Sequence, residues 1–348
     1  MMQFGLFDHM DRGPASLAED YEHRLCLAKA GEALGFTRFH TTEHHGTPLS
    51  VAPSPSLFFA AMAQRTRRLR FGPLVYTLPL YNPLRLAEEI AMLDQMSGGR
   101  LELGVGRGVS PHELQFHGLD PAESQARYEE SLRLILLVLR SAGQEVSFQG
   151  RYYSADAVPI ILAPVQLPHP PLWYGIAKLE ALPWLAQHGV NLVSSNAAAA
   201  MRMITDGYRE IWAADGPMPL LGINRHTVVA DSDAQALAIG RRAYAAWHRN
   251  FTFVWRQKGG APHTMMFPED FDALMAQGKA LCGSPATVRA QLGAQLRESG
   301  CNYMLARFAF GDMRQEESLA AQHLFGREVM GEFANLPAAA VPMPAMAG

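Results

Sequence analysis

"LRFGPLVYTLPLYNPLRLAEEIAMLDQMSGGRLELGVG", residues 69–106, contains the two rhythms from which the fold is read. The apolar run 69–78 predicts a strand. Asn82 then caps a helix with Pro83 in its first turn, and Gly98-Gly99 stop it. "RLELGVG" (100–106) returns to strand character. A strand, a helix and a strand at this spacing form a parallel pair joined by a right-handed crossover.

The same alternation extends in both directions. Towards the N-terminus, "QFGLF" (3–7) predicts a strand, 18–34 a helix stopped by Gly35, "FTRFHTT" (36–42) a strand, and 54–66 a helix with Ser54 as cap and Pro55 at its first position. Towards the C-terminus come a helix over 121–141 and a small hairpin at "VSFQGRYY" (146–153). Strands follow near 170–176, 190–195, 220–229 and 303–310, with helices between them and an irregular stretch from Asn250 to Gly283. About eight strand–helix units without a boundary linker favour a closed (β/α)8 TIM barrel over residues 1–334, with a doubly wound open sheet as its rival. The Pro/Ala-rich stretch 335–348 is expected to be a disordered tail.

The chain has 348 residues, 48% hydrophobic and 18% charged, with net charge −3. This balance, free of basic clusters, speaks against nucleic acid or an anionic membrane as partner. No apolar run has the length of a bilayer span, and "MMQFGLFDHMD" lacks the pattern of a secretory signal. Cys26, Cys282 and Cys301 are scattered and odd in number, so a disulfide framework is not expected and a reducing cytoplasm is.

Two stretches at the carboxyl ends of predicted strands carry chemistry. "LELGVGRGVSPHE" (101–113) reads G-x-G-x-G rather than G-x-G-x-x-G, and Pro111 interrupts the helix a dinucleotide site would open. It reads either as a tight turn at the barrel rim or as a bare backbone that a planar ligand can approach, with Arg107 offering a planar charge to phosphate. "HTTEHHG" (40–46) sets Glu43, His44 and His45 after the second strand. Adjacent side chains on an extended chain point to opposite faces, so His44 and His45 are poorly placed to share a metal ion. No H-E-x-x-H or Cys-x-x-Cys supports one, and His112-Glu113 and His263 lie apart. No G-x-S-x-G elbow supports a serine hydrolase either. A general acid/base beside an organic cofactor remains.

"TEHHG" (42–46), "YNPLRLAEEIAMLDQMSGGRLELGVGRG" (81–108) and "LCGSPATVRAQL" (281–292) together resemble the flavin-dependent luciferase-like monooxygenases, over Gln3 to about Phe333. The resemblance implies the same (β/α)8 barrel. It also implies reduced FMN as co-substrate, a separate flavin reductase, and O2 adding to the flavin as a C4a-peroxide that oxidises a small organic, apolar substrate. His44 matches the family's catalytic histidine, with Thr42 and Glu43 beside it in the cofactor pocket and His45 structural. Leu74–Val75 occupies the place of a non-proline cis peptide packed on the flavin ring. Arg107 matches the phosphate arginine, and Gly106 stands where bacterial luciferase has a reactive cysteine. After the fifth strand the family holds phosphate with backbone N–H groups and a Ser or Thr, where this chain has Ile176, Ala177 and Lys178, so Lys178 is expected to supply a point charge instead. Residues 250–283 correspond to the family's mobile active-site loop. A homodimer through helices 55–68 and 83–96 is expected. The alternatives are F420-dependent hydride transfer and flavin binding without turnover.

Overall fold

The computed structural model describes residues 2–176, 179–214, 216–260 and 267–333. Its strands are β1 (Gln3–Asp8), β2 (Arg38–Thr41), β3 (Arg70–Pro73), β4 (Tyr76–Thr77), β5 (Leu103–Gly106), β6 (Glu145–Gln149), β7 (Ser154–Pro159), β8 (Leu172–Gly175), β9 (Asn191–Ser194), β10 (Leu221–Val229), β11 (Ala280–Gly283) and β12 (Tyr303–Arg307). The β6–β7 hairpin is antiparallel. The main sheet is parallel and runs β3-β2-β1-β12-β10-β9-β8-β5-β4. β3 and β4 are the two halves of the single run 69–78, divided at Leu74–Val75, whose peptide bond is cis. Phe71 bridges back to Leu101, so the sheet closes on itself as the expected (β/α)8 barrel.

The helix ends follow the local chemistry. Asn82 accepts from the N–H groups of Leu84 (3.0 Å) and Arg85 (3.2 Å), and Gly98 closes that helix in the left-handed region at φ 66°. Ser54 precedes the helix Pro55–Arg65 as expected but makes no side-chain cap bond. Apolar faces of the helices, such as Leu86, Ile90, Leu132 and Ile135, pack with the outward faces of the strands into one large core.

Side chains from non-neighbouring strands meet inside the barrel. Phe7, Leu74, Trp173, Val193, Tyr303 and Leu305 form one such cluster. Below it, towards the amino ends, the fully buried Glu102 carboxylate accepts from Arg38 Nε (3.0 Å), Arg70 Nε and the Trp173 indole. A buried carboxylate persists only when paired in this way. His40 lies beside it, and burial, then the Arg38 charge, pull its imidazole down to about 3. A recess of about 380 Å3 opens at this end, lined by Arg38, Arg68 and Arg70, two of which Glu102 already engages.

Two stretches differ from the sequence expectation. Residues 250–283 contain the helices Phe253–Lys258 and Phe271–Ala276 and the strand β11. β10 is nine residues long and outruns its barrel neighbours, and β11 pairs with its overhang from His226 to Val229. Pro111 opens a short helix, Pro111–Phe116, rather than preventing one, because a proline at the first helical position gives up an N–H that has no partner there. No described helix is long and apolar enough to cross a membrane.

Candidate active site

The loops after β1, β2, β5 and β10 converge at the carboxyl end of the barrel, the face on which such folds carry chemistry. After β2 the chain turns through Thr42, Glu43, His44 and His45. Thr42 is buried, its hydroxyl bonded to the His9 carbonyl at 3.3 Å. The Glu43 side chain is wholly buried. One of its oxygens accepts the Thr77 N–H at 2.9 Å and the other faces His45 Nε2 at 2.8 Å. The Tyr81 hydroxyl, pushed up by burial and by the Glu43 charge, bonds to the same carboxylate. Glu43 therefore ties the β2 loop to β4 and holds His45 rather than presenting a carboxylate to the pocket.

His44 is mostly buried, and its Nδ1 lies 3.1 Å from Glu113 Oε1. The other Glu113 oxygen accepts the His45 backbone N–H at 2.9 Å. Burial alone would lower the His44 pKa, but the Glu113 charge, its hydrogen bond and the Glu43 charge outweigh it, and the net shift is upward. Burial likewise opposes ionisation of Glu113, yet the His44 charge and the two bonds hold it below its ordinary value. Each partner thus favours the charged form of the other. Glu113 was invisible as a partner in the sequence because it lies 69 positions away, on the helix that Pro111 opens.

Beside this pair, the partly buried Val75 and the buried Leu74 meet the end of β5. A Cβ on Gly106 would lie 2.4 Å from Val75 Cγ2, so only glycine lets the two strands touch there. Arg107 follows, exposed and without an ion pair among the described residues. An apolar surface, bare backbone and a free guanidinium at one rim suit a planar ring with an anionic tail. Just after β8 the Ile176 side chain is buried in the core, and its N–H is bonded to the Val193 carbonyl at 2.9 Å. Ala177 and Lys178, the expected phosphate contacts, lie outside the described residues.

The sequence reading missed a second group, beside His44. His9 follows β1 directly, with its ring 6.1 Å from that of His44 and 5.2 Å from that of Phe7. Burial, then the charges of Arg307, His44 and His226, hold it well below its ordinary value, so it is neutral and accepts the Trp247 indole N–H at 3.3 Å. The turn that follows has Met10 in the left-handed region at φ 57°, with its N–H held by Asp8 Oδ1 at 2.6 Å. The only available signal was polar residues inside apolar runs, "FDHMD" at 7–11 and "NRHTVV" at 224–229. Among the described residues no three His, Cys, Asp or Glu side chains are placed to hold a metal ion.

Comparison with known proteins bears on the family and the fold. Residues 2–303 match the family model for luciferase-like monooxygenases. The chain is 40% identical over 333 residues to the uncharacterised protein y4wF of Sinorhizobium fredii, covering 94% of this chain and 96% of that one. It is 27% identical to the oxygenase component of a flavin-dependent trigonelline monooxygenase of Acinetobacter baylyi, over 72% of each chain. The oxygenating constituent of 3,6-diketocamphane monooxygenase from Pseudomonas putida, solved with FMN, superposes with a TM-score of 0.80 at 21% identity, covering 95% of this chain and 98% of that one, and so bears on the fold alone. This chain belongs to the luciferase-like monooxygenase family.

Proposed function

We propose that this chain is the oxygenase component of a two-component monooxygenase, using O2 and reduced FMN from a separate reductase to oxidise a small organic molecule. The observation that carries the reading is the His44–Glu113 ion pair at a barrel rim shared with Leu74–Val75 and the unpaired Arg107. Reduced flavin, when bound, supplies the electrons that activate O2. The protein's part is to position and to protect.

Arg107 takes the phosphate, assisted by backbone N–H groups near Ile176 and, in this reading, by Ala177 and Lys178. Leu74, Val75 and Gly106 pack the ring, and Thr42 closes the adjoining turn. His44 is held protonated on Nδ1 by Glu113, so its other ring nitrogen can donate a proton towards the reacting centre. Trp247 and Phe251 stack, Phe267 meets both edge-on, and together they form an apolar wall that excludes water from that centre. A homodimer through the helices bearing the exposed Leu57, Met92 and Met96 belongs to the same reading.

The test is turnover. With reduced FMN, isotopically labelled O2 and a panel that begins with trigonelline and cyclic ketones, one labelled oxygen atom should enter the product, and His44→Ala should lower that rate about 100-fold or more. Hydride transfer to or from F420 without O2 would replace the reading. Flavin binding without any oxygenated product would reduce it to a binding role.

A further inference from the structure

Arg307 is a buried cation without a counter-ion in contact. It ends β12 on the inward face shared with Tyr303 and Leu305, and only 1% of it is exposed. One terminal nitrogen donates to His226 Nε2 at 2.7 Å, and its Nε has no partner. Its guanidinium lies between aromatic faces, 4.9 Å from the Phe7 ring centre and 5.3 Å from that of Trp247. The nearest carboxylates act on Arg307 through their charge without pairing with it, and Asp11 keeps one oxygen, Oδ1, without a partner. Asp8 pairs with Arg24 at 3.3 Å and accepts the Met10 N–H, while Asp11 accepts the Gly311 N–H at 2.8 Å and the Asn250 amide at 3.1 Å. No ion pair involving Arg307 occurs among the described residues.

An unpaired buried cation is costly unless something completes it. The group is linked to His44 by three contacts through two intervening rings, Phe7 and His9. Burial, offset in part by the Asp11 and Asp8 charges, lowers the guanidinium only to about 10, so it stays charged at neutral pH.

We propose that the substrate is an organic anion, such as a carboxylate, whose charged end is held by Arg307 beside His226 while its apolar body lies against Phe7 towards His44. This rests on the proposed oxygenase reading and narrows it. The wholly apolar substrate that the family resemblance implied is replaced by one with an apolar body and a charged end. His226, neutral because burial and then the Arg307 charge hold it far below its ordinary value, leaves the whole charge to the arginine.

The experiment measures equilibrium binding of benzoate and hexanoate against their uncharged amides, followed by the fluorescence of Trp247 and the other tryptophans, with and without FMN. Each acid should bind about tenfold or more tightly than its amide. Arg307→Met should abolish that preference and Arg307→Lys should retain part of it, with circular dichroism reporting whether each variant folds. Equal binding of acid and amide to the wild type, binding of neither, or an undiminished preference in folded Arg307→Met would overturn the proposal. FMN binding without acid preference rejects this inference alone. Acid preference without FMN binding rejects the flavin reading and leaves Arg307 as an anion site.

Discussion

The upward shift of the His44 pKa comes chiefly from one residue, Glu113. Replacing Glu113 with Gln leaves a hydrogen-bonding group but removes the charge, so the His44 pKa should fall towards and below 6.5 as burial takes over. The sign follows from linkage. His44 is raised in the folded state, so its contribution is complete below its unfolded value and is lost as pH rises through the folded one. Glu113 is lowered, so its contribution is present above 4.5 and is lost as pH falls through its folded value. Glu113→Gln should therefore cost about 1–3 kcal/mol of stability near pH 6 and less near pH 9, measured by urea unfolding at both. The histidine proton signals should place the His44 titration lower than in the wild type. An unchanged His44 titration would show that Glu113 does not set its charge. "EHHG" drew attention in the sequence because polar residues follow an apolar strand. Glu113 and Arg307 did not, because contacts across a barrel leave no trace in local spacing.

At the scale of elements, caps and stops were legible because their causes are local. Asn82 and Gly98 bound their helix through groups within four residues. The order of strands was legible too, since each apolar run ends where a helix begins. β11 was not, because four residues become a strand only against the overhang of β10. Close approach between strands was equally hidden. A Cβ on Gly72 would lie 1.8 Å from the Glu102 carbonyl oxygen, in the seam that closes the barrel. Gly72→Ala should cost about 3 kcal/mol or more, whereas Gly175→Ala, with nothing within 4 Å, should change stability by less than about 0.5 kcal/mol. Thermal melts of the two variants make the comparison, and equal melting temperatures would refute the account of the seam.

Across the whole molecule, the two ends of the barrel divide the labour. The amino end locks Glu102 between two arginines and an indole. The carboxyl end leaves Arg107 unpaired and Arg307 incomplete, and gathers His9, His44 and His226 around one aromatic wall. Saturated charges at one end and unsaturated ones at the other are what a ligand-binding barrel requires. The central claim is that the unsaturated end receives reduced FMN. Anaerobic titration of the purified protein with reduced FMN, oxidised FMN and reduced F420 tests it most directly. The account predicts that reduced FMN binds in preference to the other two and that Arg107→Ala weakens its binding about tenfold or more, as loss of a charged phosphate contact requires. Binding of F420 alone, or of none of the three, would contradict it.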